Sequence, residues 1–257
     1  ALEAYAAAKQ RIYRACELAV AHRGEPATYP LAGCATTSFG SDAPKAGDWG
    51  IIRTDRERWL ARGDEAIVAS RELPIAGAHN ELNVLAAMAL ASAVGASSSA
   101  MASAVGGFEG LPHRCQRVKE LAGVSYINDS KATNVGATRA ALVGLGEIRP
   151  GKTPHIVLIA GGDGKGADFR PLADVVAEFA KAVVLIGRDG PELGAALGAE
   201  AALHSAASMS EAVALAAELA APGDLVLLSP ACASFDMYEN FSARGEDFSR
   251  CVEALAA

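Results

Sequence analysis

Aromatic side chains are scarce: Phe, Trp and Tyr make up 5% of the 257 residues. Alanine is abundant instead, so a core must be packed from small aliphatic groups. Cations are in the minority, 23 Lys and Arg against 30 Asp and Glu, and the net charge is −7. That balance argues against a nucleic-acid partner, which a basic stripe would serve. It leaves phosphate ligands open, because backbone N–H groups and a few placed cations suffice for them. No charge-free apolar run reaches the roughly 18 residues a bilayer span needs, so membrane insertion is not expected. The five cysteines, Cys16, Cys34, Cys115, Cys232 and Cys251, show neither CxxC nor Cys/His ligand spacing. Free buried thiols in a reducing cytosol are the expectation. Glycine and proline, 26 and 11 residues, lie near the ordinary globular level and exclude collagen-like or low-complexity chains.

What is present divides into two parts. The first runs to about residue 110. It opens on ALEAYAAAKQRIYRACELAV, whose apolar spacing reads as a helix over residues 1–20 with no N-cap before it. With Ala rather than Met at position 1, a cut through a larger protein is expected. Short β-like pieces follow (CATTSFG, DWGIIRT, RWLAR, EAIVASREL), then two helical stretches, HNELNVLAAMALASAVG and SSSAMASAVGGF. The second part, residues 111–257, alternates charge-free apolar runs (VSYIN, HIVLIA, AVVLIG, LVLLS) with helical patterns. Strands buried on both faces read this way. The rhythm predicts an α/β, doubly wound, mostly parallel Rossmann-like sheet, preceded by the trailing part of a mixed α/β domain.

In such sheets ligands bind outside the carboxyl ends of the strands. The polar motifs fall there: NDSKATN after VSYI, GGDGKGADF after HIVLIA, GRDG after AVVLI, and PACASFDMYENF after LVLLS. NDSKATN places Asp129, Lys131 and Thr133 just before a helix, where Lys131 can neutralise an anion and Asp129 can accept ribose hydroxyls; an N-cap turn with an exposed lysine fits as well. GGDGKG offers mobile Lys165 on a loop that permits close backbone approach, but lacks the Ser or Thr of GxxxxGK[ST]. It is equally a tight turn. SPACASF sets Ser229 and Ser234 in a nest suited to a carboxylate, while Cys232, without a His nearby in sequence, reads as packing. His113 and Arg114 stand at the junction of the two parts, where an Arg can reach phosphate across an interdomain cleft or close an interface ion pair. Lys9, between Tyr5 and Tyr13 at helical spacing, reads as a solvated or snorkelling lysine.

GAHNELN, GLPHR, INDSKATN, GGDGKGADF and LSPACASFDMYENFSARGEDF, in this order, resemble the Mur ligases, and within them the D-glutamate-adding branch. The resemblance spans essentially the whole chain. It implies an ATP-dependent amide-forming ligase of peptidoglycan synthesis that uses Mg2+ and joins D-glutamate to UDP-N-acetylmuramoyl-L-alanine through an acyl phosphate. Residues 1–110 would be the C-terminal part of the central ATP-binding domain and residues 111–257 the C-terminal domain. Carried over position by position, Asn80, Asn83, Arg114 and Asp129 would contact ATP. Lys131, Thr133, Lys165, Ser234, Phe235 and Phe241 would hold D-glutamate. Lys9 would be the catalytic lysine that, as a carbamate, helps hold the metal; its amine would need burial or cationic neighbours to react with carbon dioxide. The GxxGK[ST] loop of the family and its nucleotide-sugar domain have no counterpart here, so this part alone is expected to be inactive. A cytoplasmic monomer is expected. Another amino-acid-adding ligase of the superfamily, or a stand-alone nucleotide- or amino-acid-binding module, stays open as an alternative.

Overall fold

The structure, a computed structural model, describes residues 2–31, 33–54, 57–73, 77–108, 110–147, 154–198 and 201–256. The chain forms two compact units, Ala1–Glu109 and Gly110–Ala257.

In the first unit, α1 (Leu2–Gln10) is followed by a 3-10 turn (Arg11–Tyr13) and then by β1 (Leu18–His22). The expectation of one helix over residues 1–20 is therefore corrected. LAVAH pairs in parallel with β2 (Ala35–Phe39), from Leu18↔Ala35 to His22↔Phe39, and buries Ala19 and Ala21 at alternate positions. The sheet period of two, not the helical period, is satisfied there. β3 (Trp49–Arg53) joins β2 in parallel; β4 (Arg58–Arg62) and β5 (Glu65–Ala69) continue as an antiparallel meander. α2 (Ala78–Ala93) buries Glu81, Val84, Leu85, Met88 and Ala89, spaced along one stripe, and α3 (Ser98–Gly106) packs beside it. Trp49, Ile51, Leu60 and Leu85 centre this core. Glu81 tolerates burial because Arg58 pairs with it.

The parallel pairing of β1 and β2 also brings the residues just ahead of them together. Cys16 and Cys34 form a disulfide. The expectation of five free thiols is corrected accordingly; Cys115, Cys232 and Cys251 are free.

The second unit holds a six-stranded sheet in the order β10-β9-β8-β11-β7-β6. Its strands are β6 (Gln116–Leu121), β7 (Val124–Asn128), β8 (Ile156–Gly161), β9 (Ala180–Ile186), β10 (Leu203–Ser205) and β11 (Leu225–Leu228). All pairings are parallel except β6 with β7, which meet antiparallel at one edge. α4 (Val135–Gly146), α5 (Ala173–Phe179) and α6 (Gly190–Leu197) cover one face. α7 (Met209–Leu219) and α8 (Phe241–Glu253) cover the other. Every residue of β8 is buried, as a strand shielded on both sides must be. The mostly parallel, doubly wound arrangement read from the sequence is thus the one formed. Among the described residues, no helix is long and apolar enough to cross a membrane.

Candidate functional site

The carboxyl ends of β7, β8, β9 and β11 lie along one edge of the second sheet, because these strands run in the same direction. The loops that leave them are fastened to one another by polar groups. Asn134 caps α4 by accepting from Ala137 N at 3.0 Å, and Asn240 caps α8 by accepting from Ala243 N at 2.9 Å. Each cap fixes where its loop ends.

Asp129 follows β7 and is buried. Its Oδ2 accepts from Ser229 Oγ at 2.9 Å and its Oδ1 from Cys115 N at 3.2 Å. Burial pushes its carboxyl up to about 6, against the pull of the Ser229 and Cys115 hydrogen bonds and of the Arg114 charge. Arg114 itself is exposed. Ser130, fully buried, donates to Phe241 O at 2.7 Å and so ties the loop after β7 to the start of α8.

A residue to which the sequence reading assigned no role binds these loops together. Arg244 of α8 is 1% exposed. Its guanidinium donates to Ser130 Oγ at 3.0 Å, Ser130 O at 2.9 Å and Cys232 O at 3.1 Å. Burial lowers its pKa to about 10, which leaves it charged at neutral pH. Asn128, at the end of β7, adds hydrogen bonds to Gly245 O at 2.8 Å and Ser249 Oγ at 3.0 Å. Its Nδ2 also lies 3.2 Å from His113 Nδ1. Gly245 is required beside that ring, since a Cβ there would run into the imidazole. ARGEDF gave the only sequence cue: an Arg and a Gly adjacent on an apolar helix stripe.

Two lysines project from this frame. Lys131 Nζ sits 3.9 Å from the centroid of the Phe241 ring, whose edge also meets His113. Lys165 Nζ sits 5.0 Å from the centroid of Phe235, which is 64% exposed. Such contacts hold an ammonium group without neutralising it. Among the described residues, neither lysine has a carboxylate partner. Three carboxylates of these loops are engaged elsewhere: Asp129 by Ser229, and Asp163 and Asp189 by Arg188. Thr133 is half-buried two residues after Lys131, and Ser234 is buried in the loop after β11. Ser234 O accepts from Met237 N and Tyr238 N at 3.0 and 2.7 Å, which curls that loop back on itself.

GGDGKG is a close-packed turn as well as a lysine carrier. A Cβ on Gly162 would strike the Ala233 carbonyl, and one on Gly187 would strike Asp236 and Gly162. The three loops touch through their backbones for that reason. Cys232 is buried, and burial pushes its thiol up to about 12, in keeping with packing rather than nucleophilic duty.

In the first unit the candidate residues stand apart. Asn80 and Asn83 lie one turn apart on α2, with Asn83 Nδ2 3.4 Å from Asn80 Oδ1. Lys9 is exposed on α1, its Nζ 5.3 Å from the centroid of the exposed Tyr5 ring. Among the described residues, no three or more His, Cys, Asp or Glu side chains group into a metal-ligand set.

Known proteins share this layout. The family described as Mur ligase, glutamate ligase domain, matches residues 113–232. The chain is 47% identical over 258 residues to a UDP-N-acetylmuramoylalanine–D-glutamate ligase of Legionella pneumophila, covering 99% of this chain and 57% of that protein. It is 50% identical to the Pseudomonas aeruginosa protein of the same name, covering 98% and 56%. A solved UDP-N-acetylmuramate–alanine ligase of Thermotoga maritima superposes with a TM-score of 0.67 at 20% identity, over 98% of this chain and 55% of that one; it speaks for the fold alone. The chain spans little more than half the length of the curated relatives it matches.

Proposed function

Because the chain belongs to the Mur ligase family, we propose that it is the amino-acid-binding part of an ATP-dependent ligase that joins D-glutamate to UDP-N-acetylmuramoyl-L-alanine in peptidoglycan synthesis. The observation that carries this assignment is the pair of lysines, Lys131 and Lys165, each held against an aromatic ring with no carboxylate partner among the described residues. A dicarboxylic amino acid presents two anions and one amine. Two separate ammonium groups hold the anions and leave the amine free to attack.

In this scheme Thr133 and Ser234 donate hydroxyl hydrogen bonds to the glutamate carboxylates, and Phe235 and Phe241 wall the pocket while keeping the lysines in place. The nucleotide-sugar substrate, phosphorylated on its carboxylate, receives the glutamate amine; the tetrahedral adduct then expels phosphate. Arg114 and Asp129, with Asn80 and Asn83, are assigned to ATP. Asp129 would accept ribose hydroxyls or hold a metal-bound water. Lys9, as a carbamate, would contribute one oxygen ligand to magnesium in the complete enzyme. The described residues offer no grouped ligand set of their own. Residues 1–110 and 111–257 are assigned to the tail of the ATP-binding domain and to the C-terminal domain. The chain by itself is expected to be inactive, and the complete enzyme to be cytoplasmic.

The test is a substrate survey on the complete enzyme, with ADP release followed for each amino acid. D-glutamate should be consumed, and Lys131→Ala and Lys165→Ala should each raise its KM about tenfold or more, the effect of losing one charge-assisted contact. Activity on another amino acid with none on D-glutamate would replace this assignment.

A further inference from the structure

The loop GRDG after β9 has no part in the scheme above, yet it holds the most connected exposed side chain of the site edge. Arg188 Nη2 lies 2.5 Å from Asp163 Oδ1, and its Nε 3.0 Å from Asp189 Oδ1. Its backbone N donates to Asp236 Oδ2 at 2.7 Å, which reaches the loop carrying Phe235. One residue thus joins the loops after β8, β9 and β11.

The two carboxylates it binds are those that shape the Lys165 turn. Asp163 Oδ1 accepts from Lys165 N at 3.1 Å, and Asp189 Oδ2 from Gly164 N at 2.7 Å. Those bonds hold Lys165 at φ +52°, a left-handed conformation that a residue with a side chain seldom adopts without support. Asp163 is also locked to Ala233 by a reciprocal pair of backbone hydrogen bonds, 2.9 Å each way. The Arg188 guanidinium in turn holds the Asp189 carboxyl below the usual carboxylate range.

Without Arg188, the two carboxylates that accept from the Lys165 turn would lose their cation, one of them only two residues before Lys165 in sequence. They would compete with a ligand anion for the ammonium group and repel that anion at the same time. A single exposed ion pair has little effect. A guanidinium forked across two carboxylates that also shape a strained turn is a different case, because geometry and charge fail together.

We propose that Arg188 is a positioning residue for amino-acid binding: by clamping Asp163 and Asp189 it keeps the Lys165 turn in shape and its ammonium group available to a ligand carboxylate. The inference rests on the D-glutamate assignment for its choice of ligand, and its test separates the two.

The experiment is steady-state kinetics on the complete enzyme with Arg188→Ala, Arg188→Lys, Lys165→Ala and the Arg188→Ala/Lys165→Ala double variant. Arg188→Ala should raise KM for D-glutamate about tenfold, with KM for ATP and the thermal midpoint unchanged. Arg188→Lys, which restores the charge but not the fork, should recover part of that loss. In the Lys165→Ala background, Arg188→Ala should add no further rise, because it acts through that lysine. A D-glutamate KM within about twofold of wild type in Arg188→Ala would overturn the proposal. So would an equal added rise in the Lys165→Ala background, or loss of KM for ATP in parallel. If the wild-type enzyme uses a different amino acid, the D-glutamate assignment falls, and the same four variants measured on that amino acid still decide the role of Arg188.

Discussion

The two units carry their candidate residues in different ways. In the second, the loops after β7, β8, β9 and β11 are cross-braced by buried polar groups, and Arg244, Asn128 and Ser130 reach over more than a hundred residues of sequence to do it. In the first, Asn80 and Asn83 lie one turn apart along one helix, and Lys9 stands against the exposed Tyr5 ring. The difference teaches where function and folding share atoms. In the second unit, a change at a buried brace such as Arg244, Asn128 or Ser130 should register in stability and in binding together. In the first, the same class of change should leave stability alone.

The largest effect expected is at Arg244. Arg244→Ala removes three hydrogen bonds and strands buried acceptors on Ser130 and Cys232, and should lower the unfolding free energy by about 3 kcal/mol or more. Denaturant unfolding followed by far-UV circular dichroism measures it. A loss near that of an ordinary surface substitution would mean the bracing is not what holds the loops.

Asp129 should give a signature in pH. Its folded carboxyl titrates near 6 against an ordinary value of 3.8, so the folded unit binds the extra proton in that window. The associated stability is fully present below about pH 3.8 and is lost as pH rises through about 6, a change of roughly 3 kcal/mol. Unfolding free energies taken from about pH 4 to 7 should fall with rising pH in the wild type and stay flatter in Asp129→Asn. Parallel curves would remove Asp129 from the set of coupled groups.

The smallest stability effects belong to the first unit. Asn83→Ala and Lys9→Ala should each move the unfolding free energy by no more than about 0.5 kcal/mol. In the complete enzyme, Asn83→Ala should raise KM for ATP. Lys9→Ala should depress kcat and regain part of it when short carboxylic acids are added, their oxygens taking the place of a carbamate. Full activity in Lys9→Ala would strike that lysine from the metal site. A stability loss at either position as large as that of Arg244→Ala would erase the contrast between the units.

What the sequence makes legible follows the same division. VSYIN, HIVLIA, AVVLIG and LVLLS declare themselves as β7, β8, β9 and β11 because burial on both faces excludes charge from them. β6 escapes, since QRVKEL is an antiparallel edge strand that keeps its charges in solvent. β1 escapes because an alanine-rich helix runs up to it and LAVAH satisfies either period locally; only pairing with β2 decides. The disulfide between Cys16 and Cys34 depends on that same pairing and is hidden with it. Lys131, Lys165 and Asp129 stand in loops whose positions the strand rhythm foretells. Arg188 stands in such a loop too, but its role, like that of Arg244, stays hidden, for each works through partners on other loops that only the folded chain brings near.

The strand order has one more consequence. β11 lies between β7 and β8, which pair with it and not with each other. During synthesis the ribosome releases β6 to β10 before the strand that unites them, so two partial sheets must wait for residues 225–228. α8, with Arg244, comes later still. The site edge is then assembled only once residues 225–253 have left the ribosome, and a product stopped short of residue 225 would hold both lysines yet have no frame to seat them.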